Sequence, residues 1–173
     1  MTVPCGVATL VCKPVEKSIS IDHPMADLTW IEGMVLLGLR KGAHGAGMWS
    51  LPGGRLEPRE RPEDAARREV LEETGISLEW VEPFKPAPYN NTMAGGQPWV
   101  TLFFLSWVEG VEAKLMEPEK CEKWEWFHLS RPPRPLFEPF AAMLKQAEEW
   151  KLREFRRIQE GTQERLEEGV GGG

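Results

Sequence analysis

Hydrophobic and polar positions along this chain form short alternating or apolar runs that are typical of β-strands. The run WVTLFFLSWV is the most apolar of them, and its aromatic and β-branched residues predict a buried strand. The other runs are shorter, and several are bounded by glycine or proline. We predict strands over residues 3–12, 34–40, 48–51, 99–108 and 124–128.

Two stretches carry a helical pattern instead. In the first, Pro62 suits the first helical position and Gly75 suits the position just past the last turn. Glu63 and Asp64 are favourable in its first turn because they face the positive end of the helix dipole. The second stretch is amphipathic and is predicted to run from residue 136 to about residue 159. Strands on both sides of one helix, followed by a terminal helix, predict a layered α/β or α+β fold.

The chain length of 173 residues suits one compact domain, which we expect to cover residues 1–160. Residues 13–32 are polar and interrupted by two prolines, so they are predicted to be a loop or hairpin insertion. Residues 161–173 end in EEGVGGG and are predicted to be a disordered tail.

The charge and the cysteine content argue against several classes of protein. With 27 acidic and 21 basic residues, the net charge of −6 disfavours charge-driven binding to polynucleotides, which needs a basic surface. A phosphorylated small molecule is compatible with this charge when a divalent cation lies between acidic side chains and phosphates. No apolar run approaches the roughly 18 residues that a membrane span needs. Three cysteines are too few for a disulfide framework, so we expect a reducing, cytoplasmic location.

The first predicted helix carries a group of acidic side chains. Glu69, Glu72 and Glu73 are spaced so that they share one helix face. Carboxylates at this spacing repel one another in water and become favourable around a hard cation such as Mg²⁺. Arg68 lies four residues before Glu72, so the two can form an ion pair. Taken alone, such a helix has an alternative interpretation as an acidic face turned to solvent.

The residues that flank this helix complete a longer pattern. Residues 53–76 read GGRLEPRERPEDAARREVLEETGI. The segment resembles the Nudix box, G-x5-E-x7-R-E-U-x-E-E-x-G-U, in which U is a bulky apolar residue. The resemblance implies a Nudix hydrolase with a mixed β-sheet sandwiched between α-helices, and a catalytically silent relative is the alternative. Every fixed position of the box is filled, by Gly54, Glu60, Arg68, Glu69, Val70, Glu72, Glu73, Gly75 and Ile76.

The resemblance also implies a metal site for Mg²⁺, or for Mn²⁺ in its place. Glu69 and Glu73 would be the main ligands, together with the backbone carbonyl of Gly53. Glu72 would be a secondary ligand and Glu60 an outer, supporting one. The implied reaction is metal-assisted attack of water on a phosphorus atom.

The remaining catalytic roles implied by the resemblance concern orientation and proton transfer. Arg68 would orient the box carboxylates. Some Nudix enzymes take their general base from a loop beyond the box, and the candidates here lie in the EPEKCE loop: Glu117, Glu119 and Glu122. We favour Glu119, and an acidic surface loop without a catalytic role is the alternative.

Segments outside the box resemble one branch of the superfamily. They are VLLGLRKGAHGAGMWSLPGG, WVTLFF, LMEPEKCEKWEWFHL and RPLF. The branch contains nucleotide triphosphate diphosphatases of the MutT homolog 2 type, plant Nudix hydrolase 1 and fungal relatives. The resemblance implies a substrate pocket that contains Leu51, Thr101, Phe137 and Phe140.

Several residues near this implied pocket carry their own expectations. Arg40 and Lys41 end a predicted strand, where contact with phosphate and simple solvation are both open. Trp99, Trp124 and Trp126 are interpreted as core residues, because buried aromatic side chains are the usual case.

The expected reaction is Mg²⁺-dependent hydrolysis of a nucleoside triphosphate, such as an oxidised purine nucleotide, to a monophosphate and pyrophosphate. Ser50 and Glu138 differ from the residues that the branch has at these positions, so a preference for guanine does not follow from the resemblance. Isoprenyl diphosphates, dihydroneopterin triphosphate and dinucleotides such as NADH or ADP-ribose are alternatives with the same chemistry. A non-catalytic nucleotide-binding domain and removal of mRNA caps are less favoured. We expect a homodimer, because relatives commonly form one, and neither a polynucleotide nor a membrane as partner.

Overall fold

The computed structural model describes residues 3–15, 33–42, 44–94 and 96–170, with side chains described except at 93–94 and 155–170. These residues form one mixed β-sheet with a helix packed on each face. The strands are β1 (Cys5–Lys13), β2 (Met34–Arg40), β3 (Trp49–Ser50), β4 (Gly53–Arg55), β5 (Glu82–Pro83), β6 (Tyr89–Ala94), β7 (Gln97–Trp107) and β8 (Cys121–His128), and the helices are α1 (Pro62–Thr74) and α2 (Glu138–Val170).

Strand β1 lies in the middle of the sheet and is buried on both faces. Val7 and Val11 point toward the side covered by α1, and they pack with the helix residues Ala66 and Val70 respectively. Leu10 points to the opposite side, into the larger core that α2 helps to form. Alternating side chains of one strand therefore serve two cores. The predicted α/β fold, a sheet between helices, is confirmed.

The sheet divides at the N-terminal half of β1. Along one edge β1 pairs in parallel with β7 over its whole length. Along its other edge it pairs with β4 at Gly6, Val7 and Ala8, but with β2 only at Cys12 and Lys13. The strands β2, β3 and β8 therefore diverge from β1, β7 and β6, and the opening between the two groups lies beside β4.

Helix α1 has the bounds that its local signals predict. Pro62 is its first residue, and Gly75 closes it in a left-handed conformation with φ of 71°, its N–H bonding to the carbonyl of Leu71. A residue with a side chain is strained at that φ, which is why glycine is common there. The buried face of α1 consists of Ala65, Ala66, Val70 and Thr74.

Helix α2 is longer than predicted. It continues to Val170, past its predicted end near residue 159, whereas disorder of the tail over residues 161–173 stays a prediction. The sequence beyond residue 159 is rich in Glu, Gln, Arg and Leu, which favour helix, and Gly161 and Gly169 each cost only about 1 kcal/mol against them. Residues 171–173 lie outside the described residues.

Three short strands were not predicted from the sequence. They are β4, β5 and β6, and β6 is polar enough to read as a loop. Its strand conformation comes from pairing with β7, from Tyr89 opposite Leu102 to Ala94 opposite Gln97. The run 99–108 is not buried throughout, since Thr101, Phe103, Phe104 and Ser106 are buried and its other residues are half-buried.

The greater part of the predicted insertion at 13–32 falls on residues 16–32, which lie outside the described residues, as do His23 and Trp30. The two ends of the segment are described. Lys13 ends β1, and the carbonyl of Gly33 accepts a hydrogen bond from the N–H of Leu129. Lys13 is five residues beyond Ala8, or roughly 17 Å along the strand, so the segment leaves the sheet far from β4. Neither α1 nor α2, within the described residues, combines the length and apolar character that crossing a bilayer requires.

Candidate active site

Arg68 lies at the centre of the acidic group on α1. Its Nε and Nη2 atoms donate to the two carboxylate oxygens of Glu60 at 2.8 and 3.0 Å. Its Nη1 atom donates to Glu69 at 2.8 Å and to Glu72 at 3.2 Å. These hydrogen bonds to Arg68 are the main reason why the pKa of Glu60 is lowered. Arg68 therefore has the geometry of the predicted orienting residue. Glu60 bonds to Arg68, so it is linked to Glu69 and Glu72 through that guanidinium group.

Glu73 points away from Arg68 and toward β4. One of its carboxylate oxygens accepts a hydrogen bond from the N–H of Gly53 at 2.9 Å. Burial raises the pKa of Glu73 to about 8, and the negative charges of Glu69 and Glu117 add to the rise. Burial also raises the pKa of Glu69, although its bond to Arg68 opposes the shift. The carboxyl groups of Glu69 and Glu73 are thus both harder to ionise than an exposed glutamate.

The double glycine of β4 allows the carboxylates to approach the backbone. A Cβ atom at Gly54 would lie 2.5 Å from the carboxyl group of Glu69, which would have to move, and a Cβ atom at Gly53 would overlap the backbone carbonyl oxygen of Val7. The glycine spacing of the box therefore has a steric cause. Strand β4 can lie directly against the acidic face of α1 only where it carries no side chain.

An acidic cleft of about 490 Å³ lies between α1, β4 and the loop before β8. Glu69, Glu73 and Glu117 supply its carboxylates, and Arg40, Lys41 and Lys120 lie around them. Hard oxygen donors, with two carboxyl groups whose pKa values are raised mainly by burial, suit a divalent ion such as Mg²⁺ or Mn²⁺. Glu72 is half exposed beside this cleft, and Glu60 is held by Arg68.

In the described part of the chain, no three His, Cys, Asp or Glu side chains converge as a ready-made metal-binding group. The cause is Arg68, which draws Glu60, Glu69 and Glu72 to its own guanidinium group. Glu69 uses Oε1 in this pair and Glu73 uses Oε2 toward Gly53, so each keeps a second oxygen. The residues therefore fit a cation that is held first by Glu69 and Glu73.

The loop before β8 brings a different glutamate to the cleft from the one favoured on sequence. Glu117 lines the cleft, whereas Glu119 and Glu122 are exposed and do not. Glu117 pairs with the ammonium group of Lys120 at 2.8 Å. The loop is tied to the end of β2 because Lys41 donates through Nζ to the carbonyl of Pro118 at 2.8 Å. Lys41, predicted to be either phosphate-binding or solvated, is instead bonded to this loop.

A second space, an aromatic cavity of about 260 Å³, fills the opening between the two groups of strands. Phe137 and Phe140 form one side of it, and the guanidinium group of Arg40 lies 4.2 Å from the ring centroid of Phe137. Ser50 also lines this cavity. The cavity contains every residue that was predicted to contact substrate: Arg40, Leu51, Thr101, Phe137 and Phe140.

The tryptophans were predicted to be core residues, and Trp124 and Trp126 do pack against the core cluster that contains Val11 and Val70. All three are half-buried, and Trp99 lines the aromatic cavity with the guanidinium group of Arg55 5.5 Å above its ring. Trp124 lines the acidic cleft and donates from Nε1 to the carbonyl of Glu73 at 3.2 Å. Trp126 lies under the ammonium group of Lys13 at 4.4 Å. Sequence reasoning missed Arg55 as a lining residue, although its place just after the double glycine was a usable signal.

The aromatic cavity and the acidic cleft are continuous. They share six residues along the boundary: Arg40, His44, Ser50, Gly53, Gly54 and Arg55. A molecule with an apolar or aromatic part in the cavity would place a linked anionic group beside Glu69 and Glu73. Such an arrangement suits a diphosphate ester.

A match to a known protein family identifies the kind of protein to which this site belongs. The family described as NUDIX domain matches residues 28–147, which is more than half of the chain. The chain belongs to the NUDIX family. It is a Nudix hydrolase, an enzyme of the class that acts on nucleoside diphosphate-linked compounds, and Nudix hydrolases generally use a divalent metal.

Relatives of this Nudix hydrolase include an RNA pyrophosphohydrolase and two oxidized purine nucleoside triphosphate hydrolases. It is 27% identical over 125 residues to the RNA pyrophosphohydrolase of Erythrobacter litoralis, a match that covers 63% of this chain and 76% of that protein. It is 33% identical over 101 residues to the oxidized purine nucleoside triphosphate hydrolase of Mus musculus, covering 57% and 61% of the two chains. A shorter match to the Danio rerio protein of the same name is 49% identical over 47 residues, or 27% of this chain and 30% of that one. The chain therefore spans less than two thirds of these two oxidized purine hydrolases.

Solved structures agree with the fold. The crystal structure of a MutT NUDIX hydrolase from Burkholderia pseudomallei is 28% identical, covers 86% of this chain and 98% of its own, and superposes with a TM-score of 0.64. The NUDIX domain of Shewanella oneidensis NrtR, complexed with ADP ribose, is 18% identical and has a TM-score of 0.61, covering 86% and 88% of the two chains. The latter likeness bears on the fold alone.

Proposed function

We propose that this Nudix hydrolase cleaves a nucleoside triphosphate, such as an oxidised purine nucleotide, to a nucleoside monophosphate and pyrophosphate. The observation that carries the proposal is the continuity of the aromatic cavity with the acidic cleft through Arg40, Ser50 and the double glycine of β4. The relatives named as oxidized purine nucleoside triphosphate hydrolases support it.

The cation would be held by Glu69 and Glu73, with the carbonyl of Gly53 beside them and Glu72 at the exposed margin. Mg²⁺ is the proposed ion, and Mn²⁺ would serve in its place. A bound divalent cation supplies charge neutralisation at the phosphate oxygens and makes a coordinated water more acidic. Arg68 keeps Glu69 and Glu72 in place and takes part in no proton transfer, because its guanidinium pKa is raised further by Glu60 and Glu69.

Glu117 is the proposed general base in place of Glu119. It is the carboxylate of the loop before β8 that lines the cleft, and its negative charge helps to raise the pKa of Glu73. The ammonium group of Lys120 pairs with Glu117 at 2.8 Å and can approach a phosphate oxygen from the same side. A water between Glu117 and the phosphorus atom would lose its proton to that carboxylate.

The aromatic part of the substrate would lie in the cavity, against Phe137, Phe140 and Trp99. Leu51 and Thr101 line the same cavity, and Arg40 stands where the cavity meets the cleft. Aromatic walls can stack on a planar base, and guanidinium groups close to those walls add favourable electrostatics. Arg40 is proposed to contact the phosphates as they pass from one space to the other.

An isoprenyl diphosphate is the second candidate substrate. No carboxylate or amide side chain is among the described residues that line the cavity, so its walls suit a hydrocarbon chain as well. Dihydroneopterin triphosphate and dinucleotides such as NADH or ADP-ribose share the same diphosphate chemistry and are tested alongside it. Triphosphorylated RNA belongs in the comparison because one relative is an RNA pyrophosphohydrolase.

The test is a hydrolysis screen with Mg²⁺ in which the released phosphate or pyrophosphate and the organic product are both identified. We expect pyrophosphate and a monophosphate from a purine triphosphate, and at least about a thousandfold loss of that activity in Glu73→Gln. Glu79→Gln is the matched control, because Glu79 is an exposed glutamate outside the cleft. Cleavage of a prenyl diphosphate alone, or of RNA alone, would replace the nucleotide proposal.

We further propose that the enzyme is a homodimer in the cytoplasm. All three cysteines are free, and burial raises the pKa of each thiol, which suits a protein that forms no disulfide. Light scattering at several protein concentrations checks the oligomeric state.

A further inference from the structure

The loop that carries Glu117 is anchored on both sides of that residue. On one side, the N–H of Met116 donates to the backbone carbonyl of Glu73 at 3.3 Å, near the end of α1. On the other side, the ammonium group of Lys41 donates to the backbone carbonyl of Pro118 at 2.8 Å. Glu117 therefore lies between a contact with α1 and a contact with the residue that follows β2.

The contact at Pro118 depends on a side chain, whereas the neighbouring contact of the same lysine does not. The backbone N–H of Lys41 donates to the carbonyl of Lys120 at 2.7 Å. This bond continues the pairing of β2 with β8 beyond its last pair, Arg40 opposite Cys121. A substitution that removes the Lys41 ammonium group therefore releases the loop at Pro118 and leaves its backbone connection to β2 in place.

Between these anchors the loop makes one tight turn. The N–H of Lys120 donates to the carbonyl of Glu117 at 3.0 Å, and the side chains of the same two residues pair at 2.8 Å. Both line the acidic cleft, whereas Glu119 is exposed and does not. Pro118 lies between the two glutamates, so a rotation of the backbone at its carbonyl would exchange which carboxylate faces the cleft.

We propose that Lys41 is a positioning residue, whose ammonium group fixes this turn so that Glu117 faces the substrate. The inference rests on the proposed function, in which Glu117 is the general base, and adds the residue that places that base. Lys41 also lines the cleft, so contact with a substrate phosphate is the competing role. The two roles differ in kinetics. Positioning a base changes kcat and acts through Glu117, whereas a phosphate contact formed equally in the bound substrate and the transition state changes KM and does not need Glu117.

The first experiment measures steady-state hydrolysis of dGTP with Mg²⁺. We expect Lys41→Met to lower kcat by about tenfold and to leave KM within about threefold, because a small displacement of a catalytic group is costly. Lys41→Arg should keep kcat within about threefold of the wild type, since a guanidinium group can still donate to the Pro118 carbonyl. Lys145→Met is the matched control, because Lys145 is an exposed lysine outside the cleft. A rise in KM at unchanged kcat, or equal losses in Lys41→Met and Lys41→Arg, would overturn the proposal.

A double-mutant cycle tests whether Lys41 acts through Glu117. In the Glu117→Gln background, Lys41→Met should lower kcat by less than about twofold, because the group that it positions no longer accepts a proton. The full tenfold loss in that background would overturn the proposal for Lys41 and leave Glu117 as the base. Unchanged kcat in Glu117→Gln alone would overturn both the base and the residue that positions it.

Amide hydrogen exchange follows the turn itself and needs no substrate. The N–H groups of Lys120 and Cys121 both donate to the carbonyl of Glu117, so their exchange reports how firmly the turn is held. We expect these two amides to exchange at least about fivefold faster in Lys41→Met than in the wild type or in Lys145→Met. Unchanged exchange would overturn the proposal for Lys41 whichever substrate the enzyme cleaves. Absence of cleavage of any nucleotide by the wild type would instead overturn the proposed function itself.

Discussion

Replacing Glu73 by glutamine should stabilise the metal-free protein while abolishing its activity. Burial raises the pKa of Glu73 to about 8 from an ordinary value of 4.5. The folded protein therefore holds this proton more tightly than the unfolded chain does. The associated stability is fully present at low pH and is lost as the pH rises through about 8. Glutamine stays neutral at every pH, and its oxygen can still accept the hydrogen bond from Gly53.

The magnitude follows from the two pKa values. Their difference of about 3.5, at about 1.4 kcal/mol for each pKa unit, sets a ceiling of about 5 kcal/mol above pH 8. Water and small rearrangements reach such sites and reduce the cost, so we expect a gain of at least about 1 kcal/mol. For a domain of this size that gain raises the midpoint of thermal unfolding by about 2–4 °C.

The assay is thermal unfolding in EDTA from about pH 5 to about pH 9, followed by the same series in Mg²⁺. Without metal, the wild type should lose stability as the pH rises and Glu73→Gln should lose less. With Mg²⁺ the order should reverse, because the cation binds the folded wild type and stabilises it by mass action. Glu79→Gln should follow the wild type in both series. If the midpoint of thermal unfolding in EDTA at about pH 9 were lower for the variant than for the wild type, the assignment of Glu73 as a buried carboxylate that a divalent cation would neutralise would be refuted.

Three further outcomes test the arrangement around the cleft. Arg68→Lys should lower kcat by at least about tenfold, because lysine cannot form the two-pronged bond to Glu60; unchanged kcat in steady-state assays would show that the pair has no orienting role. Gly54→Ala should destabilise the protein by about 1–3 kcal/mol and lower Mg²⁺ affinity, as checked by denaturant unfolding and calorimetry, since its Cβ would meet a box carboxylate at 2.5 Å. Glu117→Gln should lower kcat by about 100-fold, whereas Glu119→Gln should leave it within about twofold. The reverse order in parallel kinetic measurements would instead favour Glu119, the general base chosen from the sequence.

Local chemistry by itself determines helix α1 and the composition of the acidic group. Pro62 can begin a helix and Gly75 can end one wherever they occur, because each acts through its own backbone. The spacing of Glu69 and Glu73 places both on one helix face in any fold. The pattern of the box was therefore readable from sequence together with the helix that carries it.

Only the tertiary structure decided which distant residues complete the site. Strand β6 is too polar to be recognised without its partner β7. Glu117 and Glu119 are alike in sequence, and the choice between them depends on how Lys41 ties the loop to β2. Trp99 borders a cavity rather than filling a core because the sheet divides beside it. Periodicity reports the conformation of neighbouring residues, whereas the cavity arises from contacts between strands far apart in the chain, which only the fold brings together.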